Sequence, residues 1–415
     1  MSSLLKNSIS LLAMQGINYI LPLVTLPYLT RILHVYPFGI YSATMSVGAY
    51  VILFINFGFD LSATRKIAKS KGDNYAISAI FFNVILAKFL LFFLSFVIVF
   101  LLLYTIDSFG PIRPLFFLLI PQFIGCVFFP VWLYQGVERL YLISAITSAT
   151  KLLIIPLFFL FVRDVGDIDK AIIISGFPLF FSGIIGFYLA YKLNIINFSG
   201  VRVRVNDAIL LIKESTSVFI GTVAISIYTA CTPIILSIVS NYTEVGYFSA
   251  VDKLRSVILG MFIVLGQVFY PRATVLFESD FSKYKIFIRR IIFSQIIFGG
   301  IGMILFYFFM PIIAPFILGH GFHGLTELIE IMAPMILLIP LSVIFSNCIL
   351  LPMGKSKLFY IVPIMTAIIH LPYSIYLSEK YGAFGGGVSI LITEVLSLML
   401  LVFFSYKYAN LKSIF

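Results

Sequence analysis

Residues 15–68 read QGINYILPLVTLPYLTRILHVYPFGIYSATMSVGAYVILFINFGFDLSATRKIA, and the reading of this stretch decides the fold. After Lys6 no charged side chain appears until Arg31, and the run between them is apolar apart from a few amides and hydroxyls. A bilayer crossing needs about 20 such residues. The segment is therefore one membrane helix interrupted by Pro22 and Pro27, a short turn carrying Arg31 and Pro37, and a second helix that leaves through Arg65, Lys66 and Lys69.

The rest of the chain extends this pattern. Of 415 residues, 61% are hydrophobic and only 11% charged, with a mean hydropathy of +1.10. A soluble domain carries about a quarter charged residues, so the composition excludes a large globular protein and specifies an all-α polytopic membrane protein. Expected spans are 8–30, 39–60, 77–105, 114–135, 141–162, 171–192, 215–238, 246–271, 288–312, 328–351, 358–378 and 384–406, about twelve in all. Lys6 precedes the first of them without a small-residue cleavage site, so that helix is expected to stay in the membrane. The cysteines Cys126, Cys231 and Cys348 lie in apolar runs with no close spacing, as small buried hydrophobes do, and suggest neither a disulfide framework nor a metal site.

The net charge of +11 would suggest nucleic acid in a soluble protein. Here its distribution gives the orientation instead. With both termini cytoplasmic, nineteen of the 28 basic residues fall in cytoplasmic loops and ends, and only Arg31, Arg113, Arg163, Lys170 and Lys380 fall outside. That asymmetry follows the positive-inside rule, and no nucleic-acid partner is called for.

A weak internal repeat divides the chain. Phe38–Ala43 (FGIYSA) is echoed by Val245–Ala250 (VGYFSA), and Gly136–Tyr141 (GVERLY) by Gly354–Phe359 (GKSKLF). Both offsets are near half the chain and preserve helix number modulo six, which predicts two six-helix lobes of like orientation, a parallel 6+6 repeat. The lobes are expected at 1–192 and 214–415, joined by a cytoplasmic linker at 193–213.

Charges inside spans are the strongest pointers to function, because each costs about 2.5–3.5 kcal/mol at the bilayer centre when unpaired. Four are basic (Lys88, Lys151, Lys253 and Arg255) and two acidic (Asp252 and Glu394). Asp252 and Arg255 stand one helical turn apart and can pair. The excess positive charge predicts an anionic guest, with Arg and Lys suited to phosphate. Asp60, Arg65 and Arg31 flank spans as candidate gating residues, and Gln15, Asn18, Tyr19 and Gln122 offer hydrogen bonds to sugar hydroxyls. His320 and His323 have helical spacing but no ligand set beside them, and His34 and His370 stand alone. Gly354-Lys355-Ser356 lacks the earlier glycine of a phosphate loop, so no ATP hydrolysis, catalytic residue, metal or cofactor is expected.

The pattern QG-NY--PL-T-PYL-R-L at 15–33, with Phe38-Gly39 and then GF-L-AT--IAK at 58–69, resembles the opening of Wzx-type O-antigen flippases. These belong to the polysaccharide transporter family of the MOP flippase superfamily. FPVWLYQGVE (Phe129–Glu138), YPRAT (Tyr270–Thr274) and TEVL (Thr393–Leu396) extend the resemblance over nearly the whole chain. One departure is His34-Val35, where the family usually has glycine. The resemblance implies two lobes around a cleft that opens alternately to each side of a bacterial inner membrane. The cargo it implies is an undecaprenyl-diphosphate-linked repeat unit, moved from the cytoplasmic to the periplasmic leaflet. A polysaccharide polymerase and a chain-length regulator are its expected protein partners. On this reading Lys88, Lys151, Lys253 and Arg255 hold the pyrophosphate, while Glu394 and Asp252 couple or gate.

Two other readings are weaker. A multidrug exporter of the same superfamily resembles its relatives in an acidic residue on the first helix, and none lies in 8–30. A membrane polysaccharide polymerase or ligase resembles its class in a long, arginine-rich outer loop; the longest here, near 313–327, has no arginine.

Overall fold

The computed structural model describes residues 16–17, 21–198, 201–319 and 321–408, with side chains for all of these except 263–268 and 356. Among the described residues every regular element is helical and no strand forms. Hydrocarbon imposes this, since a helix satisfies its backbone donors and acceptors within its own segment. Large apolar side chains such as Phe93, Phe298, Phe308 and Phe316 stand exposed on the helix surfaces, as lipid-facing residues do. Nine helices among the described residues are long and apolar enough to cross a membrane.

The chain divides into two compact units: 1–25 with 40–223, and 26–39 with 224–415. Helix α1 (Leu21–Leu33) therefore ends in the second unit, and α2 (Val35–Asn56) begins there and continues into the first. The rest of the first unit is α3 (Phe59–Lys69), α4 (Asn74–Thr105), α5 (Ile112–Phe116), α6 (Ile120–Phe128), α7 (Val131–Gly136), α8 (Leu140–Leu152), α9 (Ile154–Phe161), α10 (Ile168–Lys192) and most of α11 (Val205–Ala230). Three spans expected within this unit are broken. α2 gives way to α3 at Phe57 and Gly58, whose φ angles are 43° and 78°. α6 gives way to α7 at Phe129-Pro130, because proline supplies no N–H to continue the ladder. α8 and α9 meet at Leu153.

Below the first two breaks α3 and α7 pack together. Thr64 Oγ1 donates to the Trp132 carbonyl at 3.1 Å, and Gly136 lies against Ile67. Trp132 is fully buried in the core of this unit, beside Phe81. The stretch expected as a linker, 193–213, lies inside the first unit. It is pinned to α4: Ser78 Oγ accepts from the Asn197 N–H at 2.9 Å and Asn83 Oδ1 from the Arg204 N–H at 3.1 Å, and α11 has begun by Val205.

The second unit adds α12 (Thr232–Val239), α13 (Tyr242–Ser279), α14 (Phe281–Leu318), α15 (Thr326–Met332), α16 (Met335–Ile344), a π-helical turn (Phe345–Leu350) and α17 (Ser356–Tyr408). α13 and α14 are capped by Asn241 and Asp280, which accept from the Glu244 and Lys283 N–H groups at 3.1 and 3.0 Å. Each cap satisfies one of the donors a helix start leaves open. α17 merges the expected spans 358–378 and 384–406 across a kink at Gly382, φ 56°. There the Ala383 N–H donates to Glu244 Oε2 at 2.7 Å.

The glycines of FGIYSA and VGYFSA meet inside the second unit. A Cβ on Gly39 would overlap the Tyr242 carbonyl and stand 3.0 Å from the Gly246 nitrogen, and one on Gly246 would overlap the Val35 carbonyl. Only paired glycines let α2 and α13 approach this closely, as small residues do where membrane helices cross. Gly39→Val and Gly246→Val are each expected to destabilise by about 1–3 kcal/mol or more, because backbone rather than a movable side chain fills the space. Gly300→Val, with nothing within 4 Å, is the control. Membrane protein level and thermal midpoint in detergent read the difference; equal loss at Gly300 would refute the crossing argument.

Candidate functional site

The break between α6 and α7 interrupts the backbone ladder, and Lys88 on α4 donates to carbonyls at that point. Its side chain is fully buried, and Nζ donates to the Cys126 carbonyl at 3.0 Å and the Phe129 carbonyl at 3.3 Å. The structure thus places the ammonium of Lys88, a phosphate ligand by expectation, on a broken helix end. Asp60, in the first turn of α3, lies within electrostatic reach of Lys88, and its Oδ1 is buried without a hydrogen-bond partner. Arg65, the other candidate gating residue here, is exposed further along α3. Lys66 pairs with Glu214 at 2.5 Å, and Lys71 with Glu138 at 3.1 Å.

Lys151 is half-buried in the last turn of α8, where a cation suits the partial negative charge of a helix C-terminus. Gln122 is half-buried on α6, beside Gly176, with Oε1 unpartnered. Gln15, Asn18 and Tyr19 lie outside the described residues, as does His320.

The second unit holds the denser cluster. Arg255 donates through Nη2 to Asp252 Oδ1 at 2.5 Å, the pairing their one-turn spacing predicts. Arg255 is only 5% exposed, and its Nε and Nη1 lack hydrogen-bond partners. Glu394 on α17 is 4% exposed, and its charged neighbour is Arg255, not a lysine. Lys253 turns away from this pair, with Nζ 5.7 Å from the centre of the Phe38 ring, where a cation meets the negative face of the aromatic.

Glu394 opens onto a cavity of about 270 Å³, lined in part by Tyr228, Ser342, Ser346, Asn347 and Ser397. Two of these, Ser346 and Asn347, belong to the π-helical turn, a distortion frequent at functional sites. Behind Glu394, Thr393 Oγ1 donates to the Ser389 carbonyl at 2.7 Å and lies 2.7 Å from His370 Nδ1 and 2.5 Å from the Tyr373 hydroxyl. His370 is fully buried with Nε2 unpartnered. Its isolation in the sequence was misleading, and hairpin arithmetic recovers it: His370 lies twelve residues before Gly382 and Thr393 eleven after.

The second unit also carries an outer cavity of about 520 Å³, lined by Arg31, His34, Pro315, Phe316, Gly319 and His323. The Arg31 guanidinium donates to the Phe316 carbonyl, which ties α1 to the end of α14. His34 adopts φ 58°, a left-handed turn where glycine would be unstrained. The four cations expected within spans are divided between the units, Lys88 and Lys151 in one, Lys253 and Arg255 in the other. No group of three or more His, Cys, Asp or Glu side chains among the described residues is placed to hold a metal.

Residues 4–277 match the family described as "Polysaccharide biosynthesis protein". A protein of Shigella dysenteriae named "Putative O-antigen transporter" is 32% identical over 399 residues, 96% of this chain and 98% of that one. A protein of Escherichia coli K12 with the same name is 28% identical over 402 residues, 97% of this chain and 96% of that one. Among solved structures, the lipid II flippase MurJ in an inward closed conformation superposes with a TM-score of 0.76 at 15% identity, covering 98% of this chain and 88% of that one. An inward-facing MATE-family multidrug resistance transporter of the MOP superfamily gives 0.70 at 14% identity, covering 95% and 96%. At these identities the superpositions speak for the fold alone.

Proposed function

Because the chain belongs to the polysaccharide biosynthesis protein family, we infer that it is a flippase for lipid-linked polysaccharide repeat units. It is a transporter, not an enzyme. The observation that carries this reading is the near-full-length relationship at 32% identity to a protein named for O-antigen transport. The MOP-type fold supports it, and the family's cargo takes precedence over the multidrug alternative. In finer detail, the cargo is an undecaprenyl-diphosphate-linked oligosaccharide passed from the cytoplasmic to the periplasmic leaflet by alternating access. A polysaccharide polymerase and a chain-length regulator act on it afterwards.

The same reading assigns roles within the site. Arg255 and Lys253, both in the second unit, supply positive charge to the pyrophosphate; Glu394 occupies Arg255 in the empty carrier and gives way to phosphate. Gln122 contributes a sugar contact. Twelve spans arranged as two six-helix lobes, with a cytoplasmic connection near 193–213, complete the architecture.

Loss of the gene tests the function. Single lipid-linked units are expected to accumulate in the cytoplasmic leaflet, and restoring the gene should return surface polysaccharide. Accumulation on the periplasmic face would favour a polymerase or ligase instead. The orientation, with both termini in the cytoplasm of an inner membrane, has its own check. A cysteine at Asp169 should react with an impermeant thiol reagent in intact cells, and one at Lys71 or Asn206 should not; all three positions are exposed. The opposite labelling would reverse the topology drawn from the basic residues.

A further inference from the structure

Two helices of the first unit break near one another, and a third, unbroken helix supplies the charge between them. α2 ends at Phe57-Gly58 and restarts as α3; α6 ends at Phe129-Pro130 and restarts as α7. The restarted pieces are bonded together through Thr64 and the Trp132 carbonyl, and Gly136 packs on Ile67. α4 runs past both breaks without interruption for 32 residues. Lys88 lies about 21 Å from its cytoplasmic end, at 1.5 Å per residue. The ammonium meets the carbonyls of Cys126 and Phe129; the first also accepts the Phe129 N–H at 3.3 Å, and the second lies at the break, where Pro130 interrupts the ladder. The Asp60 carboxylate, half-buried at the head of α3, is the anion within its reach. No direct ion pair joins the two among the described residues.

A fully buried lysine needs this much compensation, since an unpaired ammonium in hydrocarbon is expensive and an unserved buried carbonyl adds to the cost. The arrangement has a mechanical consequence. A helix end can swing only if its bare carbonyls keep a donor, and a donor on a long flexible stem can follow them.

We propose that Lys88 is the pin of a hinge in the first unit: it caps the broken end of α6, and α3 with α7 turns about it as one piece during transport. Lys88 is then a positioning residue, not a phosphate ligand. Asp60 balances its charge from the moving piece, and the two carbonyls hold it in place. The inference does not depend on the cargo's identity.

Cys126 reports on the hinge, because its carbonyl is one of the two capped groups and its thiol is buried beside Asn56, 3.5 Å from Oδ1. The experiment uses the full chain in lipid nanodiscs with Cys231→Ser and Cys348→Ser, so that Cys126 is the sole thiol. The measurement is its rate of reaction with N-ethylmaleimide, made without substrate. Lys88→Met is expected to raise that rate about tenfold or more, the scale of losing hydrogen bonds from a charged donor. Asp60→Asn should leave the rate within about threefold of the parent, since the carbonyl bonds survive. The exchange Lys88→Asp with Asp60→Lys should not restore export or protection, because a carboxylate has no proton to give a carbonyl. If Lys88→Met is not recovered from membranes, Lys88→Gln carries the test, with an intermediate rate expected from its shorter, uncharged donor.

An unchanged rate in Lys88→Met, or in Lys88→Gln where that stands in, overturns the proposal. So does rescue by the charge exchange, which would make the ion pair the operative contact. Labelling requires no cargo, so a failed hinge and a failed flippase reading are separable.

Discussion

Arg255→Met is expected to remove export and to lower the stability of the second unit by about 3–5 kcal/mol, the cost of stranding buried charge when one partner is deleted. Arg255 is the shared cation of two carboxylates: it bonds Asp252 directly and is the charged neighbour of Glu394. All three sit on the inner turns of α13 and α17, and Arg255 and Glu394 are each no more than 5% exposed. Lys253 also acts electrostatically on Asp252, which places the loss toward the lower end of that range. Adding Asp252→Asn and Glu394→Gln to the Arg255→Met background removes the stranded anions. Protein level and thermal midpoint should then recover while export stays absent. A single Arg255→Met variant with unaltered stability and normal surface polysaccharide would sink both the structural and the functional assignment.

Glu394→Gln is expected to separate binding from turnover. With the Glu394 carboxylate gone, only Asp252 competes with phosphate for Arg255. Affinity for the lipid-linked substrate should rise by roughly tenfold, about 1.4 kcal/mol. Export should slow, because release loses one of the two internal anions that reclaim the guanidinium. The drive itself should persist. A pyrophosphate carrying roughly two negative charges moves outward through an inside-negative membrane, downhill by about 2.3 kcal/mol per charge per 100 mV. Over a full cycle the protein's own charges return to their starting places, so only the cargo's charge counts. In vesicles of one orientation with a potassium-diffusion potential and no pH gradient, export should rise with the potential in parent and variant alike. A requirement for a pH gradient at every potential, abolished by Glu394→Gln, would establish proton antiport instead.

The membrane class was legible because composition and run length state it directly, and the Asp252–Arg255 pair because helical spacing does. The echoed FGIYSA and VGYFSA hexapeptides also carried more than a repeat: their glycines turn out to be the contact between α2 and α13. Side chains whose partners come from other helices were not legible. A lysine deep in a span reads as a binding site when its surroundings are unknown, and the carbonyls that occupy Lys88 have no letter of their own in the sequence. Only Pro130 hinted that such groups would be free. His370 was missed for a related reason, since its neighbour Thr393 is close only once α17 has folded back at Gly382. In the stretch read as a linker, composition sees polar, basic residues and cannot see Ser78 and Asn83 on α4 holding its backbone.

The division of the chain places Leu26–Gly39 with the second unit, against Tyr242, Gly246 and the end of α14. This has a consequence for biosynthesis. Those residues leave the ribosome early, and the last of their partners is made about 280 residues later; at 5–20 residues per second the wait is on the order of 14–56 s. Through that interval the corner that Gly39 and Arg31 will build has no protein surface to close against. The close-set glycine face must be held open, by lipid or by the insertion machinery, until α13 and α14 arrive. Assembly of the second unit thus runs out of chain order, with its earliest-made segment docking only after α13 and α14 are made. A chain severed in the 193–213 stretch would leave that segment on the fragment made first, so the halves could reach the native fold only by exchanging it.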